Sequence, residues 1–312
     1  MSYHPRIECK DIASFQTTRT CNSELWFINN PALEAAILGY TARYTTRYGV
    51  NLYALAIEGN HIQAPALYPQ ANRAHFKRDL NSSVARAVKR YQPRFRGGRL
   101  WQRRYSAEYL AGPEEIEAYF FYTVLQPVQD GLVDDIRDYP GYNCFEDAIT
   151  GTIRHYKVVR WKEYNDARRR NREVSIEEFT ELCPLKYARL PGYEGYTQEE
   201  YARVMRAKLA QRTAAVIAER RGKPSLGAKA LLSMKPGAIP KNTKTSGRND
   251  HRPRVLATCP KRYEVANAWY FGCYHKYKAA SKEYRAGNLN VLFPPGTYKP
   301  PLFTVAYAGA MG

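Results

Sequence analysis

The stretch that most constrains this chain lies between residues 51 and 65. A short apolar run, residues 51–57, passes through Gly59-Asn60 into His61-Ile62-Gln63. Gly and Asn tolerate the backbone of a tight turn, so the order reads strand, turn, strand. Successive side chains of a strand alternate between its faces, which sets His61 and Gln63 side by side and turns Ile62 toward the core. An imidazole and an amide oxygen held together on a rigid element make half of a divalent-metal site. A histidine two residues from a glutamine is also an ordinary strand pattern, and only other segments can separate the two readings.

The next such segment begins at Gly112-Pro113-Glu114-Glu115, which reads as a helix start. Proline suits the first helical position, and carboxylates in the first turn meet the positive end of the helix dipole. The helix is expected to run through residues 116–126 and to end at Pro127. Tyr122 and Gln126 are four residues apart, hence one turn apart on one face, where a nucleophile and a third metal ligand would stand together. Tyr119 shares much of that face and is a rival nucleophile, and with 26 tyrosines in the chain a helical tyrosine is most often packing.

At 312 residues, 44% of them hydrophobic, the chain can bury a core in one large or two modest domains. It contains no apolar run long enough for a membrane span and no apolar signal-peptide core after Met1, which places it in the cytoplasm, at the nucleoid if DNA is its partner. Its six cysteines form no Cys-x-x-Cys pair, so neither a zinc ribbon nor a disulfide framework is expected. The net charge of +19 is unevenly spread. Residues 1–150 hold 17 Lys and Arg against 16 Asp and Glu, whereas residues 151–312 hold 31 against 13. Within the first half, residues 73–104 carry eleven basic residues and the single acid Asp79. There Tyr91, Phe95, Trp101 and Tyr105 interleave with Arg90, Arg94, Arg96, Arg99, Arg103 and Arg104. Cations alternating with flat rings suit a groove that tracks a phosphate backbone and stacks unpaired bases.

The first half reads as α+β with an antiparallel sheet. Residues 14–20 and 25–28 are strand-like around the Cys21-Asn22-Ser23 turn, and Pro31–Tyr48 is helical, with Leu33, Ile37, Tyr40 and Tyr44 on one face and Gly49 just past its end. The metal-type strand, a basic helix and the helix of Tyr122 follow. The second half reads as mostly helical. Thr197 and Glu200 form a capping box for a helix running toward Arg221, and residues 263–285 are a second helix. Residues 235–253, rich in Pro, Gly, Ser, Thr, Asn and basic residues, read as a linker or a segment ordered on binding. His4, His75, His155, His251 and His275 have no partner at metal-ligand spacing and are expected to be structural or at the surface.

Four of these segments, in this order, resemble the single-tyrosine HUH transposases, in the branch of REP-associated tyrosine transposases. That family's strand motif, Pro-Asn-His-hydrophobic-His, compares with Gly59-Asn60-His61-Ile62-Gln63. Its helix signature, Tyr-x-x-x-Asn-Pro-hydrophobic-x-Ala-Gly-Leu-Val, compares with Tyr122-Thr123-Val124-Leu125-Gln126-Pro127-Val128-Gln129-Asp130-Gly131-Leu132-Val133. Between them Trp101-Gln102-Arg103-Arg104-Tyr105 is similar to a Trp-Gln-x-x-Tyr segment, and Tyr139-Pro140 to a following Tyr-Pro. The likeness covers roughly residues 10–150, with a looser echo at residues 293–298. It departs from the family at Gln63, which replaces the second histidine, and at Gln126, which replaces the asparagine. A histidine-x-glutamine pair is similar to that of some viral replication initiators.

The resemblance implies a ferredoxin-like HUH domain over residues 10–150, followed by a basic, mostly helical DNA-binding region over residues 151–312. It implies Tyr122 as nucleophile, selected over Tyr119, and a metal held by His61, Gln63 and Gln126. Neutral amide oxygens suit a hard ion, Mg²⁺ or Mn²⁺, rather than zinc. The implied activity is metal-dependent cleavage and strand transfer of single-stranded, hairpin-bearing DNA through a 5′-phosphotyrosine. No Gly-x-x-x-x-Gly-Lys phosphate loop is present, which argues against a fused helicase. Two alternatives remain: a nucleic-acid-binding protein that keeps the fold without metal chemistry, and a basic RNA-binding protein. Monomer and homodimer are both open.

Overall fold

The computed structural model describes residues 4–170, 173–240 and 254–302. In chain order the elements are β1 (Ala13–Arg19), α1 (Pro31–Tyr48), β2 (Asn51–Leu52), β3 (Ala56–Glu58), β4 (His61–Leu67), α2 (Arg73–Tyr91), β5 (Ser106–Leu110), α3 (Pro113–Val124), the one-turn α4 (Gln126–Gln129) and α5 (Phe145–Thr150). They continue with β6 (Arg154–Val159), α6 (Trp161–Arg169), β7 (Thr180–Leu185), α7 (Gln198–Glu219), α8 (Ala228–Ser233), β8 (Val255–Leu256) and α9 (Pro260–Arg285). The class is α+β. The main sheet runs β2-β4-β1-β5-β8, with β3 also on β4. All its pairs are antiparallel except β5 with β8, so the sheet is mixed.

Alternation along β1 separates the two sides of the sheet. Ser14, Gln16 and Thr18 share a register face with Ala66, Ala64 and Ile62 of β4. This side meets α2, Thr18 Oγ1 donating to Asn81 Oδ1 at 3.5 Å, and the Tyr68 hydroxyl donates to Gln16 Oε1 at 2.6 Å; α1 packs beside α2. Phe15, Thr17 and Arg19 share the other face with Pro65, Gln63 and His61. There α3 lies across the sheet, its Tyr119 and Tyr122 rings 4.8 and 5.6 Å from that of Phe15.

Helix α1 has the expected bounds because both ends are specified locally. The Asn30 side chain accepts from Leu33 N, Pro31 opens the first turn, and Gly49 closes it in a left-handed conformation with φ 58°. Residues 25–28 are not a strand. Their amides go to scattered acceptors, Leu25 N to Ala238 O and Phe27 N to Gly59 O, after a tight turn in which Asn22 and Ser23 have positive φ. The apolar run 51–57 is likewise two short strands rather than one. Opposite the break stands Pro65, whose carbonyl accepts from Tyr53 N but which has no amide to donate back.

The second half departs from the mostly helical expectation in one respect. β6 and β7 form an antiparallel pair with α6 between them, and they pack on α1 where Gly39 allows a close approach: a β-carbon there would lie 2.8 Å from Val158 Cγ2. Helix α7 starts at the expected Thr197–Glu200 capping box and ends at Glu219. Its buried Tyr201 and Met205 belong to the same apolar cluster as Phe120, Phe121 and Phe145. β8 extends the main sheet, and α9 covers it through Tyr270 and Ala266, which form a smaller cluster with Ile7 and Tyr109. Of residues 235–253, only 235–240 are described, and there Gly237 N donates to Leu25 O; residues 241–253, with His251, lie outside the described residues. All six cysteines are free. Among the described residues no helix is long and apolar enough to cross a membrane.

Candidate active site

Glu58 and His61 are cross-strand partners on either side of the Gly59-Asn60 turn, and Ala56 pairs with Gln63. A β-carbon at position 59 would lie 2.8 Å from Leu25 Cδ2 and 2.9 Å from Ile28 Cγ2, so glycine allows the loop after β1 to close on the turn. His61 and Gln63 occupy one face, as their spacing requires, and both are buried, at 6% and 2% exposure.

On α3, Phe120, Phe121, Thr123 and Val124 are buried while Tyr122 is 40% exposed. The helix ends earlier than expected. Leu125, at φ −88° and ψ −1°, still donates to Phe121 O but ends α3, and Gln126 opens the short turn α4 with Pro127 in its first positions. The missing proline amide interrupts the hydrogen-bond ladder and restarts it one residue on. Tyr122 and Gln126 thus lie on either side of the junction between two helical segments. They nevertheless reach the same side of the sheet: the Tyr122 ring meets Phe15 edge-on, and Gln63 Nε2 donates to Gln126 Oε1 at 3.0 Å. Gln126 Nε2 in turn donates to Asp130 Oδ2 at 2.9 Å. Tyr119 is half-buried, with its ring 5.6 Å from that of Tyr122.

The imidazole presents one unprotonated ring nitrogen. His61 Nδ1 lies 2.8 Å from Asn60 Oδ1, an acceptor, which assigns the proton to Nδ1 and the lone pair to Nε2. Burial, with the Arg19 guanidinium nearby, pushes its pKa down to about 3, so the ring is neutral. A neutral imidazole nitrogen and amide oxygens are donor types that Mg²⁺ or Mn²⁺ accepts. The oxygen that accepts from Gln63 retains a second lone pair. Among the described residues no group of three or more His, Cys, Asp or Glu side chains is placed to hold a metal.

One residue at this site was missed by the sequence reading. Glu58 is buried opposite His61, and burial, then the Asp130 charge, push its carboxyl up to about 8, with a hydrogen bond from Tyr139 opposing the shift. Counting pairs across the Gly59-Asn60 turn would have found it.

The basic block divides in two. Arg94, Arg96, Arg99, Arg103 and Arg104 are exposed along the segment joining α2 to β5, and Arg90 lies over the Trp161 ring of α6 at 3.5 Å. Gln102 N donates to Arg19 O and Cys21 N to Leu100 O, which ties this segment to the end of β1 beside His61. Three of the rings expected to stack bases also pack within the protein. Tyr105 is buried, with the Arg6 guanidinium 4.3 Å from its ring centre. Trp101 is half-buried against Phe27, its Nε1 donating to Asn81 O at 2.9 Å. Phe95 packs edge-on against Trp26. Of the remaining histidines, His4 bonds and stacks against Tyr270, His75 neighbours Tyr298, His155 is exposed on β6, and His275 lies on α9 beside Phe271.

No family model and no curated protein matches the chain. Among solved structures, one described as a REP-associated tyrosine transposase bound to a REP hairpin is similar to it, with a TM-score of 0.40 and 16% identity over 47% of this chain and 84% of the other.

Proposed function

We propose that this chain is a metal-dependent single-strand DNA endonuclease and strand transferase of the transposase type, with Tyr122 as nucleophile. The observation that carries the reading is the contact between the Gln63 and Gln126 amides beside His61, on the sheet face that the exposed Tyr122 also reaches. His61, Gln63 and Gln126 would hold Mg²⁺ or Mn²⁺, which when bound would supply Lewis-acid polarisation of the phosphate. Tyr122 Oη attacks phosphorus, the bond from phosphorus to the 3′ oxygen breaks, and the phenolic proton ends on that oxygen. The products are a free 3′-hydroxyl and a 5′-phosphotyrosine. A second 3′-hydroxyl reverses the step on a new strand, conserving bond energy without a nucleoside triphosphate.

In this reading residues 10–150 carry the chemistry, and the basic surface of residues 151–312 holds a structured DNA end, a hairpin stem beside the cut, through phosphate contacts. The rival is a DNA-binding protein without cleavage activity, favoured by the same contact, since the Gln126 amide already accepts from Gln63 and donates to Asp130. Incubating the chain with hairpin-bearing single-stranded DNA and Mn²⁺ separates the two. A covalent adduct whose modified residue maps to Tyr122 by mass spectrometry supports the first reading. DNA binding with no adduct supports the rival.

A further inference from the structure

Along β1 the residues facing the candidate site change character. Ala13 and Phe15 are buried, Phe15 against Tyr119 of α3, whereas Thr17 and Arg19, next on the same face, are the two partly exposed residues of the strand. Thr17 pairs with Gln63 and Arg19 with His61, so the sheet opens beside the imidazole and the first amide. Antiparallel partners direct their side chains to the same side, within about 5.5 Å at the β-carbons. Arg19 is thus a permanent cation on a central strand, one position across from the proposed metal-ligating histidine. Its backbone is fixed on both edges, by the pairing with β4 and by the hydrogen bond from Gln102 N to Arg19 O at 2.9 Å.

The chemistry needs charge at that place. A phosphodiester carries one negative charge, and attack by a phenolate oxygen builds a second on the equatorial oxygens. His61, Gln63 and Gln126 are all neutral donors and contribute none to offset it. An arginine beside them presents a planar set of N–H donors suited to two phosphate oxygens at once.

We propose that Arg19 is a catalytic residue whose guanidinium binds the non-bridging oxygens of the scissile phosphate and stabilises the transition state of Tyr122 attack. The assignment rests on the transferase reading above and adds to it a residue on β1, outside the segments that suggested that reading.

The test is single-turnover adduct formation by the full chain on a hairpin oligonucleotide with a single-stranded extension, in Mn²⁺, alongside a binding measurement on the same DNA. Arg19→Ala and Arg19→Gln are expected to slow adduct formation by about 10²–10³-fold, the usual cost of one electrostatic donor, with affinity changed only a few-fold. Arg19→Lys should recover part of the rate. A substrate with a neutral methylphosphonate at the scissile position removes the charge that Arg19 would bind, so the ratio between wild type and Arg19→Gln should fall to about one. Arg19→Gln keeps a polar side chain on the strand, and matched thermal unfolding shows that it is folded. A ratio near one on normal DNA, or the same large ratio on both substrates, overturns the proposal, because the second result is that of a structural role. Absence of any Tyr122 adduct in the wild type overturns the underlying reading, and the role of Arg19 with it.

Discussion

The side-chain amides of Gln63 and Gln126 meet at 3.0 Å, joining the strand after the Gly59-Asn60 turn to the helical turn that follows Tyr122. Both are buried, so the contact fixes the distance between the two elements that any shared chemistry would require. Removing one partner leaves a buried amide unsatisfied, at a cost of about 1–3 kcal/mol.

Gln63→Leu is therefore expected to lower stability by that amount and to weaken Mn²⁺ binding. His61→Ala should weaken metal binding more than Gln63→Ala, since imidazole is the stronger ligand, and Gln63→His should retain or raise it. Calorimetric titration with Mn²⁺ beside thermal unfolding checks all four variants. Undiminished cleavage in excess chelator would contradict the metal role.

Tyr122→Phe should abolish the covalent adduct while leaving fold and DNA affinity nearly intact, because the ring is 40% exposed and only its hydroxyl is lost. Tyr119→Phe should still form the adduct. If the Tyr119 variant alone loses it, the nucleophile is Tyr119.

Lys77 offers a prediction about stability. It is buried on α2, where burial and then the nearby Arg6 charge push its ammonium down to about 7 from 10.5. Between those values the unfolded chain binds the proton and the folded chain does not, so this group makes stability rise with pH from about 7 to 10.5. Below 7 both states are protonated and the group adds no slope. Lys77→Met should be more stable than wild type at pH 7, and the difference should shrink toward pH 10. A constant difference in unfolding temperature across that range would show that Lys77 is charged in the fold.

The elements legible in the sequence are those with local determinants. The ends of α1 are written at Asn30, Pro31 and Gly49, and the start of α7 in Thr197 and Glu200. The shared face of His61 and Gln63 follows from strand alternation alone. The illegible features depend on distant partners. β6 with β7, and β8 on the edge of the main sheet, are pairings that no short window reveals, and the half-buried faces of β6 lack a clear alternation. The intramolecular contacts of Trp101 and Tyr105 were illegible for the same reason: Asn81 and Arg6, which meet them, lie 20 and 99 residues away in the chain.

The division of labour between chemistry and DNA holding requires charge variants rather than truncation. Tyr201, Met205 and Leu185 share the core of the first half, and β8 completes its sheet, so cutting after residue 150 would remove packing along with charge. Helix α6 is the better probe. It buries no residue, exposes Lys162, Arg168 and Arg169, and meets the first-half basic block where Arg90 lies over Trp161. Neutralising Lys162 and Arg168 together should weaken binding to hairpin DNA at low salt without altering the fold. Each lost phosphate contact should flatten the plot of log affinity against log salt by about 0.7–0.9. Because phosphate contacts position DNA without reading its bases, the loss should be the same for hairpins of different sequence. An unchanged salt slope in the double variant would mean that α6 only solvates the surface, leaving the Arg94–Arg104 segment beside β1 as the principal DNA-binding face.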